Sequence, residues 1–332
     1  MNDIRLKQLQ KWLAQYPELD GFELTPASAD ASFRRYFRVM LNESSSAQSY
    51  IVMDAPPEKE NSVPFVAIAQ ILFNAGINVP EIVQCDYESG FFLISDLGEE
   101  QYLSALNIDS FENLYKSAIQ VLIKLQSILG KQLTKIPDYD KKLLQQEMAL
   151  FRDWYLDRHL DKKLDSIQQT LLTETFAVLQ ESAMKQQQVL VHRDYHSRNL
   201  MTNISAPEYP GVLDFQDAVI GPVTYDLVSL LRDCYISWPE DNVIELALFY
   251  KKIAEQHKII SSIDDDQFLK YFDLMGIQRH LKAIGIFSRL NYRDNKPSYL
   301  DDIPRTLNYV KMVSAKYNEL KEFNQFLNTL DA

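Results

Sequence analysis

The chain has 332 residues, which is enough for two domains of ordinary size or for one domain in two lobes. Its 34 Lys and Arg against 46 Asp and Glu give a formal net charge of -12, which argues against nucleic acid or an anionic membrane surface as a partner. No apolar run reaches the roughly 20 residues that span a bilayer, and the N-terminus has no signal-peptide core. Cys85 and Cys234 fit no metal spacing and no disulfide framework, so we expect a protein of the cytoplasm.

The first hundred residues predict a small β-rich lobe. Apolar residues on one helical stripe predict a helix over Ile4 to Tyr16, and Ser62 with Pro64 starts another that ends before Gly76. Short runs of β-branched and aromatic residues predict strands over 22–24, 36–41, 50–53, 82–87 and 91–95.

A larger helical lobe is predicted after the first. From Gln101 to Gln188 nearly every segment has amphipathic helical spacing, and helices resume at Tyr225. Strand-like runs at 189–191 and 212–215 interrupt them. The sequence therefore predicts an α+β protein, with an N-terminal β-rich lobe over 1–97 and a C-terminal helical lobe over 98–332.

Polar residues of the kind that phosphoryl transfer needs are concentrated in the second lobe. His192, Arg193 and Asp194 follow a predicted strand, Asn199 comes five residues after Asp194, and Asp214 precedes Phe215. One carboxylate and one amide oxygen suit Mg²⁺, and a separate carboxylate can receive the proton of an attacking hydroxyl. With only 9 glycines, the chain contains neither the Rossmann nor the P-loop fingerprint, so any nucleotide phosphates are held in another way.

This pattern resembles the catalytic and metal-binding loops of protein-kinase-like enzymes, and within them the aminoglycoside phosphotransferase family. The histidine His196 and the run from Asp217 to Leu227 point to that family. Four further segments make the chain similar to bacterial kinases that phosphorylate the anomeric hydroxyl of N-acetylmuramate and N-acetylglucosamine: residues 31–38, 53–57, 93–98 and 278–293. The resemblance implies a protein-kinase-like bilobal fold, ATP and Mg²⁺ as cofactors, and a place in cell-wall sugar recycling. We also expect a monomer, although the sequence does not fix the oligomeric state.

The resemblance also implies a role for individual residues. Asp194 would be the catalytic base, and Asn199 and Asp214 would hold Mg²⁺. A loop over the nucleotide phosphates is implied at Ser32, Phe33, Arg34 and Arg35. A hinge that contacts the adenine is implied at Ser95, Asp96 and Leu97.

One position departs from the protein-kinase pattern. Asp54 ends the third predicted strand, where those enzymes carry a lysine that contacts the phosphates. We expect Arg34, Arg35 or Lys59 to replace it. The missing lysine also supports an alternative, a pseudokinase that binds nucleotide without turnover. Against it, Asp194, Asn199 and Asp214 are all present.

A basic helix face predicts the charge of the acceptor. Arg279, Lys282 and Arg289 share one face, and no Asp or Glu occurs from Leu274 to Tyr292. In a protein of charge -12 this favours an anionic substrate such as N-acetylmuramate, with His196 as a further candidate for substrate contact. The alternatives are an ordinary helix surface, or a kinase of aminoglycosides, choline or other amino-alcohols, whose cationic substrates would call for an acidic pocket.

Two residues near the predicted base have a structural interpretation. His192 is expected to be buried and to hold the loop. Asp226, at the start of a predicted helix over Tyr225 to Cys234, is expected to brace the loop or cap the helix.

Overall fold

Five strands near the N-terminus form one antiparallel sheet of order β1-β2-β3-β5-β4. They are β1 (Glu23–Ala29), β2 (Arg35–Met40), β3 (Ser49–Asp54), β4 (Ile82–Asp86) and β5 (Phe91–Ser95). The computed structural model describes residues 3–29, 33–41, 49–203, 206 and 209–330. Close contacts divide the chain into two compact units, residues 1–99 with 211–217 and residues 100–210 with 218–332. The lobes predicted from the sequence meet instead at residue 97.

Helix α1 (Ile4–Leu13) covers part of the sheet in the first unit. Leu9 and Leu13 are buried in one cluster with Val39 and Val52 of the sheet. Asp3 caps the helix by accepting the N–H of Leu6 at 2.9 Å. The helix ends three residues earlier than predicted, because the chain turns into a 3₁₀ segment at Pro17–Leu19.

Two further elements complete the first unit: α2 (Val63–Asn74) and β8 (Gly211–Val212). Gly90 lies in the turn between β4 and β5 with φ +71°, and a Cβ there would meet the carbonyl oxygen of Ala55 at 2.0 Å. Glycine is therefore required at that turn. The predicted strand over 212–215 is wrong beyond Val212, since Asp214 adopts a left-handed backbone with φ +63°.

The second unit is mostly helical. Its α-helices are α3 (Tyr102–Ala105), α4 (Phe111–Gln126), α5 (Lys141–Leu150), α6 (Ser166–Lys185), α7 (Tyr225–Leu231), α8 (Glu240–Gln256), α9 (Asp265–Asp294), α10 (Ile303–Ser314) and α11 (Lys321–Asn328). A π-helix, Phe151–His159, continues α5, and the shorter strands are β6 (Gln188–Val191), β7 (Leu200–Met201) and β9 (Val219–Pro222). Within the described ranges, each helix is too short or too polar to cross a bilayer.

Helix α9 is the central helix of the second unit. It is 30 residues long and nearly all of its positions from Phe272 to Leu290 are buried or half-buried. It packs against α5, α6, α7, α10 and the π-helix. A charged residue in the middle of α9 is therefore surrounded by protein, and it needs a partner or a function.

Candidate active site

The loop after β6 is held by a buried carboxylate from α7. Asp226 accepts the backbone N–H of His192 at 2.7 Å and of Arg193 at 3.0 Å. Arg193 has a left-handed backbone with φ +76°, a conformation that a non-glycine residue keeps only where its surroundings enforce it. Burial raises the pKa of Asp226 to about 7, against the two N–H donors that favour its charged form. The expected bracing role of Asp226 is confirmed.

Asp194 lies on the loop that Asp226 holds. Its backbone N–H donates to Nδ1 of His192 at 3.2 Å, and its carbonyl accepts the side-chain amide of Asn199 at 3.0 Å. Burial by itself raises the pKa of the Asp194 carboxyl, but the charges of Lys282 and Arg279 outweigh it and lower that pKa. Asp194 is therefore a carboxylate at neutral pH, able to accept a proton.

Lys282 belongs to a buried polar network around Glu147 of α5. Its ammonium lies 3.2 Å from Glu147 Oε1 and donates to the hydroxyl of Tyr225 at 3.0 Å. Arg193 and Tyr139 also bond to Glu147. The predicted basic face thus has an acidic neighbour on another helix, which the sequence of α9 alone does not reveal.

Arg279 and Arg289 differ from Lys282 in their surroundings. Arg279 is buried, with Nη1 3.6 Å from the sulfur of Cys234. Arg289, nearly three turns further along α9, is half-buried, and burial lowers its pKa with help from Arg293. Among the described residues, the Nε atoms of both have no hydrogen-bond partner. Both Nε atoms are buried, so these two guanidinium groups contribute positive charge to the region.

His196 is buried two residues after Asp194. Its ring meets that of Tyr235 edge-on, with centroids 5.3 Å apart, and its Nδ1 has no partner among the described residues. Burial lowers the pKa of His196, so the imidazole is neutral at physiological pH. Tyr235 follows α7 in an apolar run interrupted by Arg232 and Asp233. Charged residues inside an apolar run could have marked the segment that carries Tyr235 as a candidate part of the site.

The predicted phosphate loop is partly engaged by protein groups. Arg35 is a direct cross-strand neighbour of Asp54 and donates to it through Nε at 3.0 Å, while Arg5 of α1 donates to the other oxygen at 2.9 Å. Asp54 is fully buried, so it forms a structural pair in place of the lysine of protein kinases.

Arg34 has a different partner. Its Nε lies 3.3 Å from Glu60, which also accepts the N–H of Phe33 at 3.0 Å. Phe33 is exposed and Lys59 lies over its ring at 4.8 Å. Ser32 lies outside the described residues.

The predicted hinge follows β5. Ser95 exchanges two hydrogen bonds with Glu81, through its N–H and through its hydroxyl oxygen, each 2.9 Å long. Asp96 accepts from Arg38 at 2.6 Å and from Ser49 at 2.8 Å, so its carboxylate is occupied by the protein itself. For Leu97, neither backbone group bonds to any residue in the described part of the chain.

Asp214 is held in the first unit by its neighbours. Gln216 donates to its Oδ1 at 2.7 Å, and Phe215 stacks on Phe65 of α2 with centroids 5.2 Å apart. The guanidinium of Arg34 lies 6.0 Å from the same Phe65 ring. Phe65 therefore joins the segment of Asp214 to the predicted phosphate loop.

A cavity of about 520 Å³ lies elsewhere in the second unit. It is lined by residues 126–129, 133, 187–190, 220, 255 and 257–262. None of the predicted site residues lines it.

Comparisons with known proteins point to one enzyme family. A sequence profile described as the phosphotransferase enzyme family matches residues 23–256. N-acetylmuramate/N-acetylglucosamine kinase of Pseudomonas aeruginosa is 44% identical over 99% of this chain and 98% of its own, and the protein of that name from Neisseria meningitidis serogroup B is 41% identical over 94% and 92%.

Solved structures share the fold at low identity. An ADP-bound aminoglycoside phosphotransferase, APH(2'')-Ib, aligns with a TM-score of 0.60 at 16% identity, over 93% of this chain and 98% of its own. An ethanolamine kinase of Plasmodium vivax aligns with a TM-score of 0.61 at 12% identity, over 93% and 86%. The protein-kinase-like α+β fold predicted from the sequence is confirmed.

Proposed function

The chain belongs to the phosphotransferase enzyme family, and from that premise we propose that it transfers the γ-phosphoryl group of ATP to the anomeric hydroxyl of N-acetylmuramate and N-acetylglucosamine. The observation that carries the choice of acceptor is similarity to kinases of these two sugars over nearly the whole of both chains. The proposed setting is cell-wall sugar recycling in the cytoplasm, with the protein acting as a monomer.

In this mechanism Asp194 is the catalytic base. Its carboxylate orients the sugar hydroxyl and accepts the proton late, as the bond to phosphorus forms. The charges of Lys282 and Arg279 keep Asp194 ionised despite its burial. An anomeric hydroxyl is more acidic than an ordinary alcohol, so a base of low pKa suffices.

Two residues have the donor types that Mg²⁺ takes. Asp214 offers a carboxylate, and Asn199 has its amide nitrogen on the carbonyl of Asp194, which directs its own carbonyl oxygen away from that bond. When bound, Mg²⁺ supplies charge that offsets the negative charge on the phosphate oxygens. Each residue is fixed in its own unit, Asn199 by the loop after β6 and Asp214 by Gln216.

Nucleotide binding is proposed for the first unit. The backbone groups of Leu97 would read the adenine edge, while Ser95 and Asp96 shape the hinge through Glu81 and Arg38. The phosphates would meet the loop before β2, where Arg34 is the charged candidate and Ser32 and Phe33 supply neighbouring groups. Arg35, bound to Asp54, would act by fixing that loop.

The acceptor is proposed to bind in the second unit beside His196. Arg279 and Arg289 supply positive charge that suits an anionic acceptor, and the charge of Lys282 keeps Asp194 ionised. A kinase of aminoglycosides or choline would need acidic side chains there. A pseudokinase is disfavoured, because Asp194, Asn199 and Asp214 are all present.

The test is a phosphorus NMR assay of the purified protein with Mg²⁺, ATP and each sugar. We expect a sugar 1-phosphate signal, and a fall in kcat of about 10²- to 10⁴-fold in Asp194→Asn. Asp153→Asn, an exposed carboxylate on the π-helix, is the matched control and should match the wild type. Turnover of an amino-alcohol or an aminoglycoside, with none of either sugar, would reject the proposed acceptor.

A further inference from the structure

Arg198 is a cation that the proposed mechanism does not use. Its guanidinium carbon lies 3.5 Å from the ring centroid of Tyr235, close enough for face-on stacking. The side chain is partly exposed, and it forms no hydrogen bond or ion pair with the residues that the structure describes. Its N–H donors are therefore available to a ligand.

The position of Arg198 is fixed by one buried carboxylate, Asp233. Asp233 accepts the backbone N–H of Ser197, the residue before Arg198, at 2.9 Å. It also accepts the N–H of Tyr235, the ring under Arg198, at 3.0 Å. The cation and its aromatic support thus share one anchor, and Asp233 forms no ion pair with Arg198 itself.

Nearby cations are not equally available. Arg193 and Lys282 are both paired with Glu147. Arg279 is buried, with one donor on the sulfur of Cys234. Arg198 combines a fixed plane with an open edge, the geometry in which a guanidinium binds a carboxylate through two parallel hydrogen bonds.

His196 connects this cation to the base. The imidazole interacts electrostatically with both Asp194 and Arg198, and its ring contacts the Tyr235 ring on which Arg198 lies. Asp194, His196 and Arg198 therefore stand on one short loop of the second unit, so an acceptor whose hydroxyl meets Asp194 can present another of its groups to Arg198. In N-acetylmuramate the carboxylate is carried by the lactyl ether on O3, two ring carbons away from the anomeric C1.

We infer that Arg198, stacked on Tyr235, binds the lactyl carboxylate of the acceptor and thereby favours N-acetylmuramate over N-acetylglucosamine. This inference rests on the proposed function. The neutral sugar lacks that carboxylate, so it gains nothing from the guanidinium.

The test compares kcat/KM for the two sugars in the wild type and in Arg198→Gln. Glutamine keeps most of the length of the side chain and removes the charge. We expect the ratio of N-acetylmuramate to N-acetylglucosamine to fall about 10- to 100-fold, mainly through KM for the acidic sugar. Arg152→Gln, an exposed arginine on the π-helix, is the matched control and should keep the wild-type ratio.

Three outcomes separate the possibilities. A wild type that phosphorylates neither sugar rejects the proposed function. A wild type active on both, with Arg198→Gln lowering kcat/KM for both sugars equally, rejects only the role of Arg198 and points to a phosphate contact. If Arg289→Gln lowers the ratio of kcat/KM for N-acetylmuramate to that for N-acetylglucosamine and Arg198→Gln does not, Arg289 binds the carboxylate and the inference is overturned. Unchanged thermal melting and KM for ATP show that Arg198→Gln is folded.

Discussion

Asp54 ends β3 at the position where protein-kinase-like enzymes carry a lysine for the phosphates. In this chain its two oxygens accept from Arg5 and Arg35, which ties α1 and β2 to β3. A buried carboxylate with two guanidinium partners is a structural group, because removing the partners would leave an uncompensated buried charge. The charge that meets the nucleotide must then come from another residue.

Substitutions can distinguish the proposed roles of Arg34 in ATP binding and of Arg35 in stability. We expect Arg34→Met to raise KM for ATP about 10- to 100-fold, because it removes the positive charge that we propose meets the phosphates. Arg35→Met should leave that KM near the wild-type value and lower the free energy of unfolding by about 1 to 3 kcal/mol, because Asp54 loses hydrogen bonds. Steady-state kinetics with ATP varied and urea unfolding measure the two effects.

The reverse result would move the phosphate contact to Arg35. Lys59→Met is the third variant, since Lys59 is the other cation beside the same loop. If KM for ATP is unchanged in all three variants, cations of this segment do not hold the phosphates.

At the scale of elements, local pattern predicted much of the fold. The bounds of α2 follow from the helical spacing of apolar residues before Gly76. Those of β5 follow from the apolar run after Gly90. The π-helix Phe151–His159 was not predicted, because its apolar residues give no signal that distinguishes it from α-helix. It begins directly after Leu150, which packs against Gly285 of α9, and only packing could specify it.

Candidate site residues could be predicted from the sequence only where they lie close together along the chain. Asp194 and Asn199 stand on one short loop, and Asp226 belongs to a separate run of the sequence, from Asp217 to Leu227. Glu147 lies in an ordinary amphipathic helix, and its partners Lys282 and Arg193 are far from it in the chain. Such partnerships arise from tertiary packing, which spacing along one helix does not encode.

The packing of α9 can be tested with its two glycines. A Cβ at Gly285 would lie 2.4 Å from the backbone carbon of Leu150, where α5 becomes the π-helix. A Cβ at Gly276 would lie 3.5 Å from the nearest atom, a nitrogen of Arg232. We expect Gly285→Ala to lower the free energy of unfolding by about 1 to 3 kcal/mol through overpacking.

Gly276→Ala is the matched control on the same helix. It should be neutral or stabilising by up to about 1 kcal/mol, because alanine favours helix and the site has room. Urea unfolding of both variants at one pH gives the comparison. Equal effects of the two substitutions would show that α9 does not approach α5 as closely as the structure indicates.

At the scale of the whole molecule, stability depends on pH through groups that act in opposite directions. His280 is buried, and burial with help from Arg279 lowers its pKa to about 3. It therefore stays neutral in the folded protein as the pH falls below about 6.5. In the unfolded chain a histidine has a pKa near 6.5 and takes up a proton there, so the stability of the folded state falls. Asp226, with its pKa raised to about 7, binds a proton first in the folded state, and stability rises as pH falls from about 7 to about 4.

Removing His280 should therefore expose the contribution of Asp226. His280→Phe can keep the stacking on Tyr309, whose ring centroid is 5.0 Å away, but it loses the hydrogen bond to the carbonyl of Arg232. At pH 8 we expect the variant to be less stable by about 1 kcal/mol. As the pH falls from 6 to 4.5, the free energy of unfolding of the variant should rise relative to that of the wild type by about 1.4 kcal/mol per pH unit. The two curves of stability against pH therefore cross. Urea unfolding at a series of pH values measures this, and curves that stay parallel would mean that His280 is protonated in the folded protein.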